Sequence, residues 1–259
     1  MGLSQEQITN VKQVLRDSLR DKFQNYNPEP HYMPFHTRLL GGDRLALHAF
    51  IHSLMTTFGT VVFEPVAVTI AKNSFKNAKS HAIAGGFIYQ GALTAIDEIM
   101  RNLTIAASKA NKLDEIETIR KVCQTGSKKE VKPTLVDLLV EANDGEVYLF
   151  DLKTVKPNKG DFIGFKRTLL EWVATVLASD PNAKVNTFIA IPYNPYEPKP
   201  YARWTMVGML DLEHELKVAD EFWNFLGGQG TYQDLLDCFE QVGIELRDEI
   251  DAYFARFNR

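Results

Sequence analysis

The segment TLVDLLVEANDGEVYLFDLKTV, residues 134–155, decides how this chain is read. Two runs dense in Val, Leu, Tyr and Phe, Thr134–Ala142 and Glu146–Val155, flank Asn143-Asp144-Gly145, a sequence suited to a tight reversal. The pattern predicts a β-hairpin. With a three-residue loop, Ala142 pairs with Glu146 and Asp137 falls opposite Asp151. Opposed residues share a face and side chains alternate along a strand, so Asp137, Asp151 and Lys153 project together.

Two carboxylates set face to face repel unless a cation lies between them. Asp137 sits inside Leu135-Val136-Asp137-Leu138-Leu139, and Asp151 follows Val147-Tyr148-Leu149-Phe150, so neither strand resembles an exposed polar edge. Buried acids need a cation or full hydrogen bonding. A hard divalent ion satisfies this. Mg²⁺ takes one or two carboxylates and leaves its other positions to water and phosphate oxygens, which makes Asp137, Asp151 and the backbone carbonyl of Leu152 the candidate ligands. Lys153 is the diagnostic residue, because an ammonium there can orient or deprotonate the attacking water and offset charge on a pentavalent phosphorus. The alternative, a plain salt bridge on a half-solvated sheet, fits the apolar flanks less well.

Outward from the hairpin, Phe162, Phe165, Leu169, Leu170, Val173 and Leu177 recur at helical spacing over Asp161–Leu177, and Lys184–Ile191 reads as a buried strand ended by Pro192. Gln5–Asn25 is an amphipathic helix behind a Ser4 cap, and Asp43–Thr57 is helical after Gly41-Gly42. Lys72–His81 reads as a loop, Ile88–Leu113 as one long helix, and Thr231–Phe257 as helical. The fold class is α/β, a small mixed β-sheet flanked by helices with extra N- and C-terminal helices. No repeat or linker divides the chain. One domain is expected over 1–259, its core at about 85–192 and helical extensions at 1–84 and 205–259.

Composition agrees with a globular, soluble protein with a conventional buried core, at 45% apolar and 11% aromatic residues. The longest apolar runs fall far short of the ~20 residues that span a bilayer. Met1–Tyr26 carries no hydrophobic signal core, so a cytoplasmic protein without a membrane partner is expected. Cys123 and Cys238 suggest neither a disulfide framework nor a thiolate metal site. The net charge of −4 hides an asymmetry. Asp211–Arg259 holds 12 Asp/Glu against 4 Lys/Arg, a net −8, which leaves +4 for residues 1–210. Lys153, Lys156, Lys159, Lys166 and Arg167 cluster with only Asp161 opposing them, either an anionic-ligand patch or a solvated helix face.

The paired aspartates and the Asp-x-Lys triplet, followed by a helix and a strand, resemble the PD-(D/E)xK nuclease superfamily. Pro133 departs from its pattern, standing four residues before Asp137. Further blocks are similar to the TdeIII-type type II restriction endonucleases. These are Phe35–Gly41, Phe58-Gly59-Thr60 with Phe63-Glu64-Pro65, Asp151–Thr154, Pro192–Tyr196 and Phe222–Gly228. The resemblance implies a restriction-endonuclease-like core and Mg²⁺-dependent hydrolysis of double-stranded DNA. It also implies a short palindromic site of the GGNCC kind and a homodimer. A structure-selective nuclease of the same superfamily and a non-catalytic DNA-binding protein are the other two classes.

Glu98, on the helix before the hairpin, is a candidate third metal ligand, against the alternative of an exposed helix residue. His48 and His52 have zinc-ligand spacing but lack a third ligand, which favours packing. His31 and His36 fall in a Pro-rich loop. Tyr193, Asn194 and Arg203 lie in the proline-punctuated loop after the last strand, where Asn and Arg can read base edges and aromatics can stack. Gly227-Gly228-Gln229-Gly230 reads as a turn.

Overall fold

The computed structural model describes residues 2–27, 33–131, 135–153, 161–201, 206 and 208–257. The hairpin forms in the expected register. Its arms, β6 (Leu138–Glu141) and β7 (Val147–Leu152), pair Leu138 with Phe150 through Glu141 with Val147. Ala142 N–H donates to the Glu146 carbonyl at 2.8 Å, and Gly145 takes a φ of +86°, a left-handed conformation that glycine enters without steric cost.

From this hairpin the sheet grows on both sides. β8 (Val185–Ile191) lies parallel to β7, and the connection runs through α7 (Phe162–Ser179), as a parallel pair requires. Short edge strands close the sheet, β1 (Asn77–Lys79) antiparallel to β6 and β9 (Leu216–Val218) parallel to β8. The order is β1-β6-β7-β8-β9, a mixed five-stranded sheet consistent with a restriction-endonuclease-like core. Its edge strands come from outside residues 85–192. Two small antiparallel pairs sit beside it, β2 (Ala82–Ile83) with β5 (Leu135–Val136) and β3 (Phe87–Tyr89) with β4 (Lys128–Glu130).

Side-chain alternation divides the core into two layers. On one face, Leu149, Ile189 and Ile191 pack with α5 (Gln90–Thr104), α6 (Lys112–Val122) and α7. On the other, Leu138, Val140, Phe150 and Phe188 pack with α1 (Gln5–Asn25), α4 (Glu64–Ala71), α8 (Asp220–Gly227) and α9 (Thr231–Glu245). A helical arm, α2 (Pro34–Leu40) and α3 (Gly42–Thr57), leads through a π-helical turn at Phe58–Phe63 into α4, and α10 (Arg247–Phe254) ends the helical layer.

Three segments differ from expectation. Lys72–His81 contains β1, whose three residues are too few to show a period. Ile88–Leu113 is strand, helix and the start of a second helix: Ile88 lies in β3, and α5 ends at Thr104. Asn111 then caps α6, accepting from the Asp114 N–H at 3.2 Å. His36 lies on α2 instead of in a loop, and His31 lies outside the described residues. Among the described residues no single helix is long and apolar enough to cross a membrane. Cys123 and Cys238 are free and buried.

Candidate active site

Asp137 sits at a bend between β5 and β6, where the chain passes from the small pair into the main sheet. Its Oδ2 accepts the Leu152 N–H at 2.8 Å, so a strand donor is taken by a side chain. The next amide, Lys153, donates to Ala190 of β8 at 2.9 Å, which anchors the Asp-Leu-Lys triplet from the other side. Asp151 is only 7% exposed, and Lys153 Nζ reaches its Oδ1 at 2.5 Å while lying 4.7 Å from the centre of the Phe165 ring of α7. The three predicted groups are brought together.

The electrostatics are those of a site short of positive charge. Burial pushes the Asp151 carboxyl up to about 7, with Asp137 reinforcing the rise by charge and by a hydrogen bond, even though Lys153 opposes it. A fourth group contributes. Glu64, the first residue of α4, is 2% exposed, and burial followed by repulsion from Asp137 and Asp151 pushes it up to about 7. Its Oε2 has no hydrogen-bond donor among the described residues. The His81 ring lies 3.4 Å away without the geometry of a hydrogen bond.

Glu64, not Glu98, is therefore the helical acid of this site. The Glu98 side chain is 65% exposed on α5, 3.8 Å from Arg101, because its position faces away from the sheet. A signal for Glu64 was present in the sequence: a lone acid within the apolar run Val61-Val62-Phe63-Glu64-Pro65-Val66. Burying it costs free energy that a bound cation would recover.

Cavities open on both sides of the acids. One of about 720 Å³ is walled by His52, Met55 and Thr56 of α3, the π-helical turn, Glu64 and Tyr193. The other, about 570 Å³, lies between β5 and α7. Asp137 and Lys153 line both. Among the described residues no three His, Cys, Asp or Glu side chains are spaced to enclose a metal unaided. Mg²⁺ does not need such a cage, since one or two carboxylates with water and phosphate oxygens suffice. His48 and His52 simply stack, ring centroids 6.2 Å apart.

Two members of the basic cluster, Lys166 and Arg167, are held by acids. Lys166 is fully buried on the inner face of α7, its Nζ 2.5 Å from Glu115 and 2.6 Å from Glu215, and cannot touch DNA. The physical reason is its place in the helical stripe Phe162, Lys166, Leu169, Leu170, Val173, where a charge is admitted only with buried counter-charges. Arg167 is engaged by Asp97 at 2.7 Å and Glu171 at 3.0 Å. Lys156, Lys159 and Arg203 lie outside the described residues. Asn194 faces its own loop, donating to the Lys199 carbonyl at 2.7 Å and accepting from the Tyr196 N–H at 3.0 Å. Of that loop's two candidates among the described residues, Tyr193 lines the larger cavity and Asn194 does not.

The raised carboxyls carry a pH signature. Between the unfolded carboxyl value of ~4 and about 7, the metal-free folded chain binds more protons than the unfolded chain, so its stability falls as pH rises through that window. Glu64→Gln in EDTA should raise the melting temperature by roughly 3–8 °C at pH 8 and change it little at pH 5. Equal effects at both pH values, by thermal unfolding, would contradict the charge assignment.

Residues 3–243 match the family described as "Type II restriction endonuclease, HinfI". The type II restriction enzyme HgiEI of Herpetosiphon aurantiacus is 27% identical over 84% of this chain and 79% of its own length. HgiCII of the same organism is 26% identical over 84% and 80%. MjaII of Methanocaldococcus jannaschii is 28% identical over 93% and 72%. The matching model bears HinfI's name, where the sequence blocks resembled TdeIII-type enzymes. Restriction endonucleases act on double-stranded DNA, and this chain belongs to the HinfI family of type II restriction endonucleases, the site-specific deoxyribonucleases.

Proposed function

We propose that the chain is a Mg²⁺-dependent endonuclease of the PD-(D/E)xK type. It hydrolyses both strands of DNA at a short palindromic site, of the GGNCC kind, as a cytoplasmic homodimer. The observation that carries this reading is the convergence of Asp137, whose Oδ2 accepts the Leu152 N–H at 2.8 Å, with the buried Asp151 and with Lys153 at 2.5 Å from Asp151. The donor set fits a hard cation: all oxygen, mostly buried, with Glu64 Oε2 lacking a donor among the described residues. Asp137, Asp151 and the Leu152 carbonyl hold the ion, and Glu64 completes the negative field around it. When bound, Mg²⁺ supplies Lewis-acid polarisation of the phosphodiester and stabilises the departing 3′-oxygen.

The chain's own groups do the rest. Lys153, fixed by Asp151 and by the Phe165 ring, orients the attacking water and offsets charge developing at phosphorus. Tyr193, at the cavity wall, stacks on or packs against the nucleic acid beside the scissile bond. Lys156 and Lys159 follow β7 in sequence and Arg203 follows β8, and they supply phosphate and base contacts.

Supercoiled plasmid tests the metal dependence. Wild type should linearise it in Mg²⁺ and leave it intact in EDTA, and Asp151→Asn should leave it intact in both. A Ca²⁺ titration read by thermal unfolding should stabilise wild type at pH 8 and not Asp151→Asn. Cleavage in EDTA, or full activity of Asp151→Asn, would overturn the reading.

A further inference from the structure

The helical arm exposes apolar side chains that a lone molecule has no reason to present to water. On α2, Phe35 is 83% and Leu39 82% exposed, one turn apart on a single face, and Leu40 is 43% exposed. On α3, Ile51 and Met55 are 40% and 58% exposed, again one turn apart. With His48 and His52 they form a stripe at i, i+3, i+4 and i+7 along the outer side of that helix, the spacing of a helix–helix contact. The arm is a built element: α2 packs on α3, and Arg44 donates to the Leu40 carbonyl at 2.7 Å across the Gly41-Gly42 corner.

Summed over the two packed helices, these five side chains expose on the order of 500 Å² of apolar surface, comparable in size with the largest patch on a monomer. With the polar edges of both helices, that approaches the ~800 Å² per partner of a stable interface. Charge decides between DNA and protein as the occupant. DNA-facing surfaces are strongly basic. Residues 34–60 contain two strong bases, Arg38 and Arg44, one acid, Asp43, and no lysine. Depletion of charge around exposed Phe, Leu and Met is instead the composition of a protein interface core.

We propose that the outer face of α2–α3 binds the same face of a second copy of this chain across a two-fold axis. The inference rests on the endonuclease reading and gives its homodimer an interface. The described residues of the chain hold one candidate catalytic centre, whereas a palindromic site has two scissile phosphates on antiparallel strands, and a two-fold pair supplies one centre to each. The geometry is continuous with this role. His52, Met55 and Thr56, in the C-terminal half of α3, line the cavity that holds Glu64, Asp137 and Lys153, so the interface abuts both active sites.

Sedimentation at micromolar concentration, without DNA or metal, tests the interface independently of activity. Wild type should sediment at twice 29.3 kDa. Phe35→Glu/Leu39→Glu should be monomeric with an unchanged circular dichroism spectrum, and should nick plasmid instead of linearising it. Leu39→Ser, which adds no charge and keeps the proposal testable if the double variant misfolds, should weaken the dimer at least tenfold. A monomeric wild type, or variants that stay as firmly dimeric as wild type, would overturn the proposal. Variants that remain dimeric but lose retention of DNA on a gel would give the face to DNA. A sound dimer without cleavage would sink the endonuclease reading and leave the interface standing.

Discussion

Lys153→Ala is expected to slow single-turnover DNA cleavage by at least ~10²–10⁴-fold, the range for lost acid–base and charge assistance, while DNA binding in Ca²⁺ is nearly unchanged. The effect should fall on kcat because the ammonium is placed for the reaction, held by Asp151 at 2.5 Å and facing both cavities beside the acids. Lys153→Arg should not rescue it. A guanidinium is wider, planar and does not give up its proton, so it can neither occupy the same corner against Phe165 nor act as a base. Undiminished turnover of Lys153→Ala would remove Lys153 from the mechanism, and undiminished turnover of Lys153→Arg would reduce its role to positive charge.

Lys166→Met is expected to destabilise the fold by about 3–5 kcal/mol, the usual cost of breaking a buried ionic set by removing one partner. The network ties three elements. Lys166 of α7 contacts Glu115 of α6 and Glu215 before β9, and Lys112 of α6 reaches Glu215 at 2.9 Å. Burial acts to raise the Glu215 carboxyl, but the two lysines overcome it and hold that carboxyl below its ordinary value. Glu115 is pushed up by burial despite Lys166. Without the Lys166 ammonium, Glu115 has no cation in salt-bridge contact among the described residues and Glu215 keeps Lys112. A fall in melting temperature of roughly 10 °C should follow, with an unchanged salt dependence of DNA binding. A variant of wild-type stability that instead loses about one unit of salt slope would restore Lys166 as a phosphate contact.

That residue also marks where sequence reading reaches its limit. Lys166 lies on the same helical stripe as Leu169, Leu170 and Val173, so its burial was available from spacing. What was not available was the identity of its partners, 51 and 49 residues away, and without them a charge in a basic run reads as surface. The hairpin was legible because its information is local: alternation, a turn sequence and a fixed loop length set the register that puts Asp137 opposite Asp151. Helix α7 and strand β8 were legible for the same reason. The edge strands, three residues each, owe their existence to the neighbours they pair with. Glu64 belongs to the same class of blind spot. Its role depends on α4 being carried by the π-helical turn to the break in the sheet at Asp137, a tertiary fact that the sequence does not print; Glu98, the acid offered instead by analogy, is the exposed helix residue of the alternative reading. The break between α5 and α6 was missed because apolar periodicity ran on through Ile105 and Leu113 across a loop that Asn111 ends as a cap.

Incubating the purified chain with unmethylated phage DNA, in Mg²⁺ or in EDTA, and sequencing every fragment end tests the central claim most directly. The account predicts discrete fragments in Mg²⁺ alone, all ending within one short palindromic sequence cut on both strands, and none from Asp151→Asn. Ends scattered without a common sequence, or DNA retained on a gel but never cut, would contradict it.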